Sequence, residues 1–185
     1  MFNLKKCVLP SQVIVEGTSF EVHTDFQYWI NFSQQIKTKN HLLTDFDFLY
    51  KNDIPADRQK GLDELINFCF AKKELPRQIG ASQNNIIPYD WDIDAPYIFA
   101  AFYQQYKIDL FEENLHLHWY KFRALFDALQ NTKFNDIVGY RFYTPSAHFD
   151  EKKHYQNLRS QWEIHPELTD EEKEKIDNFR KHLKC

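Results

Sequence analysis

Glycine is scarce in this chain, with four among 185 residues. A loop that cradles phosphate needs several glycines close together, so nucleotide sites of that kind are excluded by supply. Cysteine is scarcer still. Cys7, Cys69 and Cys185 are odd in number and far apart, which argues against a disulfide framework and against a cysteine metal site, and for a reducing cytoplasm. Positive charge is not in excess: 23 Lys and Arg face 27 Asp and Glu, for a net charge of −4. Nothing in that balance draws the chain to nucleic acid or to an anionic membrane. No apolar run approaches the roughly 18 residues of a membrane span. The opening MFNLKKCVLPSQ has two lysines but no hydrophobic region behind them, so no signal peptide is expected. A nucleophile elbow and a supported Cys-His pair are also missing.

What the chain has in quantity is aromatic side chains, with 17 Phe, 10 Tyr and 4 Trp. Many long side chains and few glycines favour helices over a loop-rich β fold. The length suits one domain that can bury roughly 70% of its unfolded surface. The expected fold is mainly α, a helical bundle of about six to eight helices with a small N-terminal β-hairpin. A single domain over 1–185 would divide into the hairpin at 1–23, a helical core at 24–143 and polar C-terminal helices at 144–185.

The one clear β signal is Val13-Ile14-Val15 and Phe20-Glu21-Val22 about Glu16-Gly17, two short strands around a glycine turn. Thr24 with Gln27 makes a capping-box pattern for a helix that turns Phe26, Trp29, Ile30, Ser33 and Ile36 inward. Residues 37–40 are a polar break. From Leu42 to Lys51 a strand-like alternation competes with helical spacing of Leu42, Phe46 and Leu49, and helix is preferred. Ile54-Pro55 is a boundary. A helix over 56–72 follows, with Leu62, Leu65, Ile66, Cys69 and Phe70 as its stripe. Residues 74–89, with Pro76, Gly80 and Pro88, read as a loop and a candidate functional segment.

Asp90 to Leu129 looks like the centre of the fold. Asp94 is a natural N-cap and Pro96 fits the first turn. Ile98, Phe99, Phe102 and Tyr106 share a face, and the helix should end near Lys107. After a short acidic link, Asn114 can cap a second helix with Leu115, Trp119, Phe122, Phe126 and Leu129 inward. Ala124 and Ala128 beside that stripe would admit a close neighbour, and the pair would form an αα-hairpin. Thr132 then caps a helix carrying Phe134, Ile137, Val138 and Phe142. Two polar helices complete the chain, one over 151–162, the other opened by Thr169 with Glu172 and striped by Ile176, Phe179 and Leu183.

Three groups of residues invite a chemical reading. Asp90, Asp92 and Asp94 suggest calcium, but the sixth and twelfth positions of such a loop would be Ala95 and Ala101 instead of Gly and Glu. They serve better as a cap and as partners of the helix dipole. His116 and His118, if helical, point to different faces and cannot share one metal ion. Tyr140-Arg141 is either a surface hook for an acidic partner or, more commonly, half of an ion pair. No catalytic, metal or cofactor residue is therefore assigned. The aromatic excess and the polar terminal helices favour protein binding.

Asp94-Ala95, Tyr97-Ile98-Phe99-Ala100-Ala101-Phe102, Tyr106-Lys107-Ile108-Asp109-Leu110 and His118-Trp119-Tyr120-Lys121-Phe122, followed by Tyr140-Arg141, come in an order that resembles the bacteriophage gene-product-fifteen family. Leu9-Pro10, the valine-rich hairpin, Thr24-Asp25-Phe26 and Ile54-Pro55 are similar too. Pro96 departs from the pattern, harmlessly in a first turn. The resemblance implies a protein of tailed phages and prophages of Gram-positive bacteria, encoded among tail genes beside the tape-measure gene. It further implies a tail-assembly role in the cytoplasm of the bacterial host. The expected protein is a non-enzymatic, chaperone-like factor of virion morphogenesis that binds the tape-measure and tail-tube proteins and no nucleic acid or membrane. Tyr103, Phe111 and Trp162 are the candidate partner-binding residues. A structural tail or connector component kept in the virion is the alternative. A metal-dependent hydrolase using Asp90, Asp92, His116 and His118 is a distant third.

Overall fold

In the computed structural model, which describes residues 5, 8–37, 42–70, 86–143 and 149–164, the chain is mainly α. The described residues hold seven helical segments, one of them 3₁₀, and one two-stranded antiparallel sheet. They form two compact units. One comprises 5, 8–37, 42–70 and 91–135, the other 86–90, 136–143 and 149–164.

The first unit begins with the hairpin, β1 (Gln12–Val15) and β2 (Thr18–Glu21), in a register that sets Val15 opposite Thr18. Its two-residue turn holds Glu16 at φ 51° and Gly17 at φ 84°. Positive φ at both positions matches the twist of the strands. Val13 and Val15 are buried while Gln12 and Ile14 are exposed, the alternation of a strand with one wet face. So small a sheet is marginal alone. It rests against α2 (Arg58–Cys69).

Beyond β2 the chain stays extended and ties distant segments together. Val22 bridges to Tyr50, and Asp25 bridges to His118. The His23 amide donates to the Leu49 carbonyl at 2.8 Å, and the Phe26 amide to the Leu117 carbonyl at 3.0 Å. The Thr24 carbonyl accepts from the Trp119 amide at 2.6 Å. Thr24 is thus not a helix cap, because its backbone is committed to this bridge. Helix α1 (Phe26–Gln35) starts after Asp25 and buries Phe26, Trp29, Phe32 and Ser33. Ile30 and Ile36 are half-buried, and Phe32 takes the inward place.

Leu43–Leu49 is the 3₁₀ helix, with Phe46 and Leu49 buried. Its period of three places these two in line and falls between strand and α-helix periods, hence the mixed signal there. In α2, the Asp57 carboxylate accepts from the Lys60 amide at 3.0 Å, and Leu62, Leu65, Phe68 and Cys69 turn inward. Phe70, expected in that stripe, is exposed at the helix end.

Helix α3 (Ala95–Tyr106) has Pro96 in its first turn and closes at Lys107, whose φ of 58° turns the chain away. Asp94 is its N-cap. The Asp94 carbonyl accepts from the Tyr97 and Ile98 amides, and its fully buried carboxylate makes no capping bond. The second central helix, α4, runs only from Trp119 to Asp127 with His118 as N-cap. Asn114 caps nothing at the expected place, because the backbone before α4 is extended and paired with the start of α1. The link is therefore longer than an αα-hairpin allows. The backbone of α4 comes close to α1, and α3 meets α4 through Phe102 stacked on Phe122 at 5.1 Å. Ala124 and Ala128, expected to face a neighbour, are exposed.

The core of this unit is aromatic. Phe122 is fully buried, and its ring lies 4.7 Å from Phe26, 5.8 Å from Trp91 and 5.8 Å from Trp119. Helix α5 (Lys133–Phe142) starts after the buried Thr132. The Thr132 hydroxyl donates to Asn135 Oδ1 at 2.7 Å and accepts from the Asn135 amide at 3.4 Å, a reciprocal cap.

The second unit contains the rest of α5, α6 (Phe149–Trp162) and residues 86–90. Arg141 is buried in it. Its Nε donates to the Trp162 carbonyl at 2.7 Å and Nη1 to the Pro88 carbonyl at 3.0 Å. A guanidinium so placed cannot be a surface hook. Tyr143 stacks on Tyr155 at 4.7 Å. Most of the polar break at 37–40, most of the 74–89 loop and the helix expected from Thr169 lie outside the described residues. Among the described residues no helix is long and apolar enough to cross a membrane.

Candidate functional site

The αL turn at Lys107 sends the chain back beside α3, and this reversal builds a pocket. The Asp109 carboxylate accepts from the Phe111 amide at 2.9 Å, a short Asx turn that fixes the loop tip. Leu110 then points inward and is buried, while Phe111 stands at the surface, 74% exposed. The Phe111 ring lies 5.3 Å from that of Phe99, and Phe99 lies 6.1 Å from Tyr103. On the other side, Trp91 Nε1 donates to Ser33 Oγ at 3.0 Å, and Gln34 Nε2 donates to Asp92 Oδ2 at 2.7 Å. These two bonds hold the segment before α3 against α1.

Between them lies a cavity of about 160 Å³. The buried Trp91, Ile98, Leu110 and Phe122 line its depth, and Ile30, Phe99 and Phe111 reach its more open side. Every lining side chain is apolar. The pocket can take up an apolar group and offers nothing to a proton or a nucleophile. The loop sequence Asp109-Leu110-Phe111-Glu112-Glu113 sets three exposed carboxylates beside two of the lining residues. Among the described residues none of those three meets a cationic side chain.

Tyr103 and Phe111, both named from the sequence, therefore share one surface, linked through Phe99. Tyr103 is 52% exposed and carries the Lys107 ammonium 5.8 Å above its ring. Trp162 belongs to the second unit and is half-buried there. Trp91, Ile30 and Leu110 were not anticipated as site residues. Trp91 and Leu110 sit in acidic stretches, and their one signal was a large apolar side chain among polar neighbours.

Three of the four residues of the hydrolase alternative, Asp92, His116 and His118, have other engagements. Asp92 accepts from Gln34, and His116 Nδ1 lies 3.5 Å from Asp25 Oδ1. His118 accepts the Tyr120 amide at Nδ1, 3.0 Å away, and its Nε2 donates to the Pro10 carbonyl at 2.9 Å. That pair of bonds requires the neutral imidazole protonated at Nε2. Burial pushes the His118 pKa down, and Lys121 adds to this against the opposing pull of the Pro10 carbonyl and Asp25. The two histidines lie on an extended backbone, where residues two apart share a side, so the helical argument for separating them does not hold. Among the described residues no three His, Cys, Asp or Glu side chains are placed to hold one metal ion.

A family model described as Bacteriophage Gp15 protein matches residues 8–165, most of the chain, which therefore belongs to that family. No curated protein and no solved structure matches it.

Proposed function

We propose that this member of the bacteriophage Gp15 family is a tail-assembly factor, non-enzymatic and chaperone-like, that binds the tape-measure and tail-tube proteins in the host cytoplasm. Family membership supports the phage context. The observation that carries the binding role is the open apolar pocket with Phe111 and Tyr103 at its surface. Exposed aromatic groups beside an apolar concavity suit a partner surface. A chaperone of this kind would cover apolar segments of its client until the client reaches its place in the tail.

Co-expression with the tape-measure and tail-tube proteins of the same phage, followed by pull-down, tests the role. A complex, with shortened or missing tails on deletion of the gene, is the expected outcome. Absence of any complex together with normal tails would overturn it. Mass spectrometry of purified virions separates a chaperone, which leaves the particle, from a structural tail or connector component, which stays.

A further inference from the structure

We infer that the pocket between α1, α3 and the 107–113 loop receives one large apolar side chain from a basic peptide segment, such as a leucine or aromatic residue flanked by lysine or arginine. The inference rests on reading this surface as a partner site and specifies the chemistry of the partner.

Size supports the anchor. An apolar cavity of roughly 150 Å³ accommodates a benzene ring, and the pocket measures about 160 Å³. One ring or branched aliphatic group fills it. The uniformly apolar lining gives no hydrogen-bond partner to a polar group, which would lose its water without replacement.

Charge supports the flanks. Asp109, Glu112 and Glu113 surround the lining residues Leu110 and Phe111 in sequence, are exposed, and meet no cation among the described residues. Asp92, also exposed, follows the lining residue Trp91. Over residues 91–113 four exposed acids, Asp92, Asp109, Glu112 and Glu113, stand against a single lysine, Lys107. That lysine is held over Tyr103, at the far end of the aromatic row. A segment whose anchor enters the pocket brings its neighbouring residues beside these carboxylates. Lysine or arginine there gains attraction, and aspartate or glutamate is repelled. Nucleic acid and anionic lipid are disfavoured by the same field.

The test is selection from a displayed library of random 16-residue peptides on the full chain, with counter-selection on Phe111→Ala. Because Phe111 is largely exposed, its removal leaves the core intact. Enriched peptides should carry one large apolar residue with Lys or Arg close by. Their affinity should fall about tenfold or more on Phe111→Ala and again on the Glu112→Lys, Glu113→Lys double variant. Affinity should also weaken with rising salt. Enrichment of neutral or acidic peptides, equal binding to Phe111→Ala, or no enrichment at all would overturn the inference. The same two variants are then carried into the tape-measure pull-down. If peptides behave as expected and no tail protein is captured, the tail-assembly reading fails and the pocket chemistry stands. If tail proteins are captured equally by all variants and peptide binding does not depend on Phe111, the tail-assembly reading stands and the pocket chemistry fails.

Discussion

Replacing Gly61 by alanine sets two opposing effects against each other within α2. In an ordinary helix alanine is better than glycine by about 0.8–1.0 kcal/mol. Here the added methyl would lie 2.8 Å from Pro55 Cγ and 2.8 Å from the Tyr50 hydroxyl oxygen. Neither neighbour can move aside cheaply, since the Pro55 ring is rigid and buried and Tyr50 is 9% exposed. Forcing an extra carbon into packed surroundings costs typically about 1–3 kcal/mol. The steric effect should win, for a net loss of roughly 1 kcal/mol. In a chain of this size that lowers Tm by about 2–4 °C.

A second substitution identifies the cause. The Tyr50 hydroxyl is buried and has no hydrogen-bond partner among the described residues. Burial, with Asp47 adding to it, pushes its pKa up to about 12. Tyr50→Phe removes both an unsatisfied polar atom and one of the two clashing atoms. Alone it should raise stability by about 1 kcal/mol. In the Tyr50→Phe background, Gly61→Ala should cost at most half of what it costs in the parent. Urea unfolding followed by far-UV circular dichroism on the four proteins gives the complete cycle. A higher midpoint for Gly61→Ala in the parent would refute the reasoning, for it would mean that helix propensity alone governs the site.

Three further outcomes are expected. Phe122→Ala should destabilise by about 3–5 kcal/mol, because the ring is fully buried among aromatic neighbours; a loss below about 1 kcal/mol in urea unfolding would contradict its central place. His118→Ala should cost about 2 kcal/mol through the lost cap and the lost bond to Pro10, and His118→Asn should restore the cap alone. The folded His118 pKa is lowered, so the unfolded chain takes up the proton first. Its contribution is present above the ordinary value near 6.5 and is lost as pH falls through the folded value; pH-dependent unfolding that is unchanged in His118→Asn would exclude this. Cys69 should resist iodoacetamide in the native chain and react in denaturant, as read by peptide mass spectrometry, because burial pushes its thiol up to about 12 and the thiolate is the reactive form. Modification of native Cys69 at the rate of a free thiol would refute that.

Elements specified by their own residues were legible in the sequence. Glu16-Gly17 allows the two positive φ angles of the hairpin turn, Asp94-Ala95-Pro96 opens α3, and Thr132 opens α5 with Asn135 as its reciprocal partner. The start of α4 was not legible. Asn114 and Leu115 fit a cap and a stripe locally, yet the Leu117 carbonyl and the Trp119 amide are taken by Phe26 and Thr24 from far upstream. Long-range pairing overrode local preference, and nothing near Asn114 announces it. The same pairing invalidated the argument about His116 and His118, which assumed a helix where the backbone is extended. Tyr103 and Phe111 could be singled out as aromatic residues outside the expected buried stripes. The pocket could not be, since its wall is shared by α1, α3, α4 and the segments flanking α3.

That distribution bears on how the pocket stays open. A phenylalanine next to an apolar cavity would ordinarily fold into it, since burying such a side chain is worth about 1.5–3 kcal/mol. Phe111 is held out by backbone devices. Lys107 reverses the chain at φ 58°, and the Asp109 carboxylate fixes the Phe111 amide. Leu110 is already buried at the wall, and the turn at Leu110 and Phe111 leaves the next side chain at the surface. The Trp91–Ser33 and Gln34–Asp92 bonds hold the opposite wall. An anchor of the kind proposed would thus enter a cavity whose walls are already ordered, and little of its binding energy would be spent on shaping the site. An apolar surface kept exposed by hydrogen bonds and a left-handed turn costs stability in the free protein, and occupation by an apolar group offsets that cost.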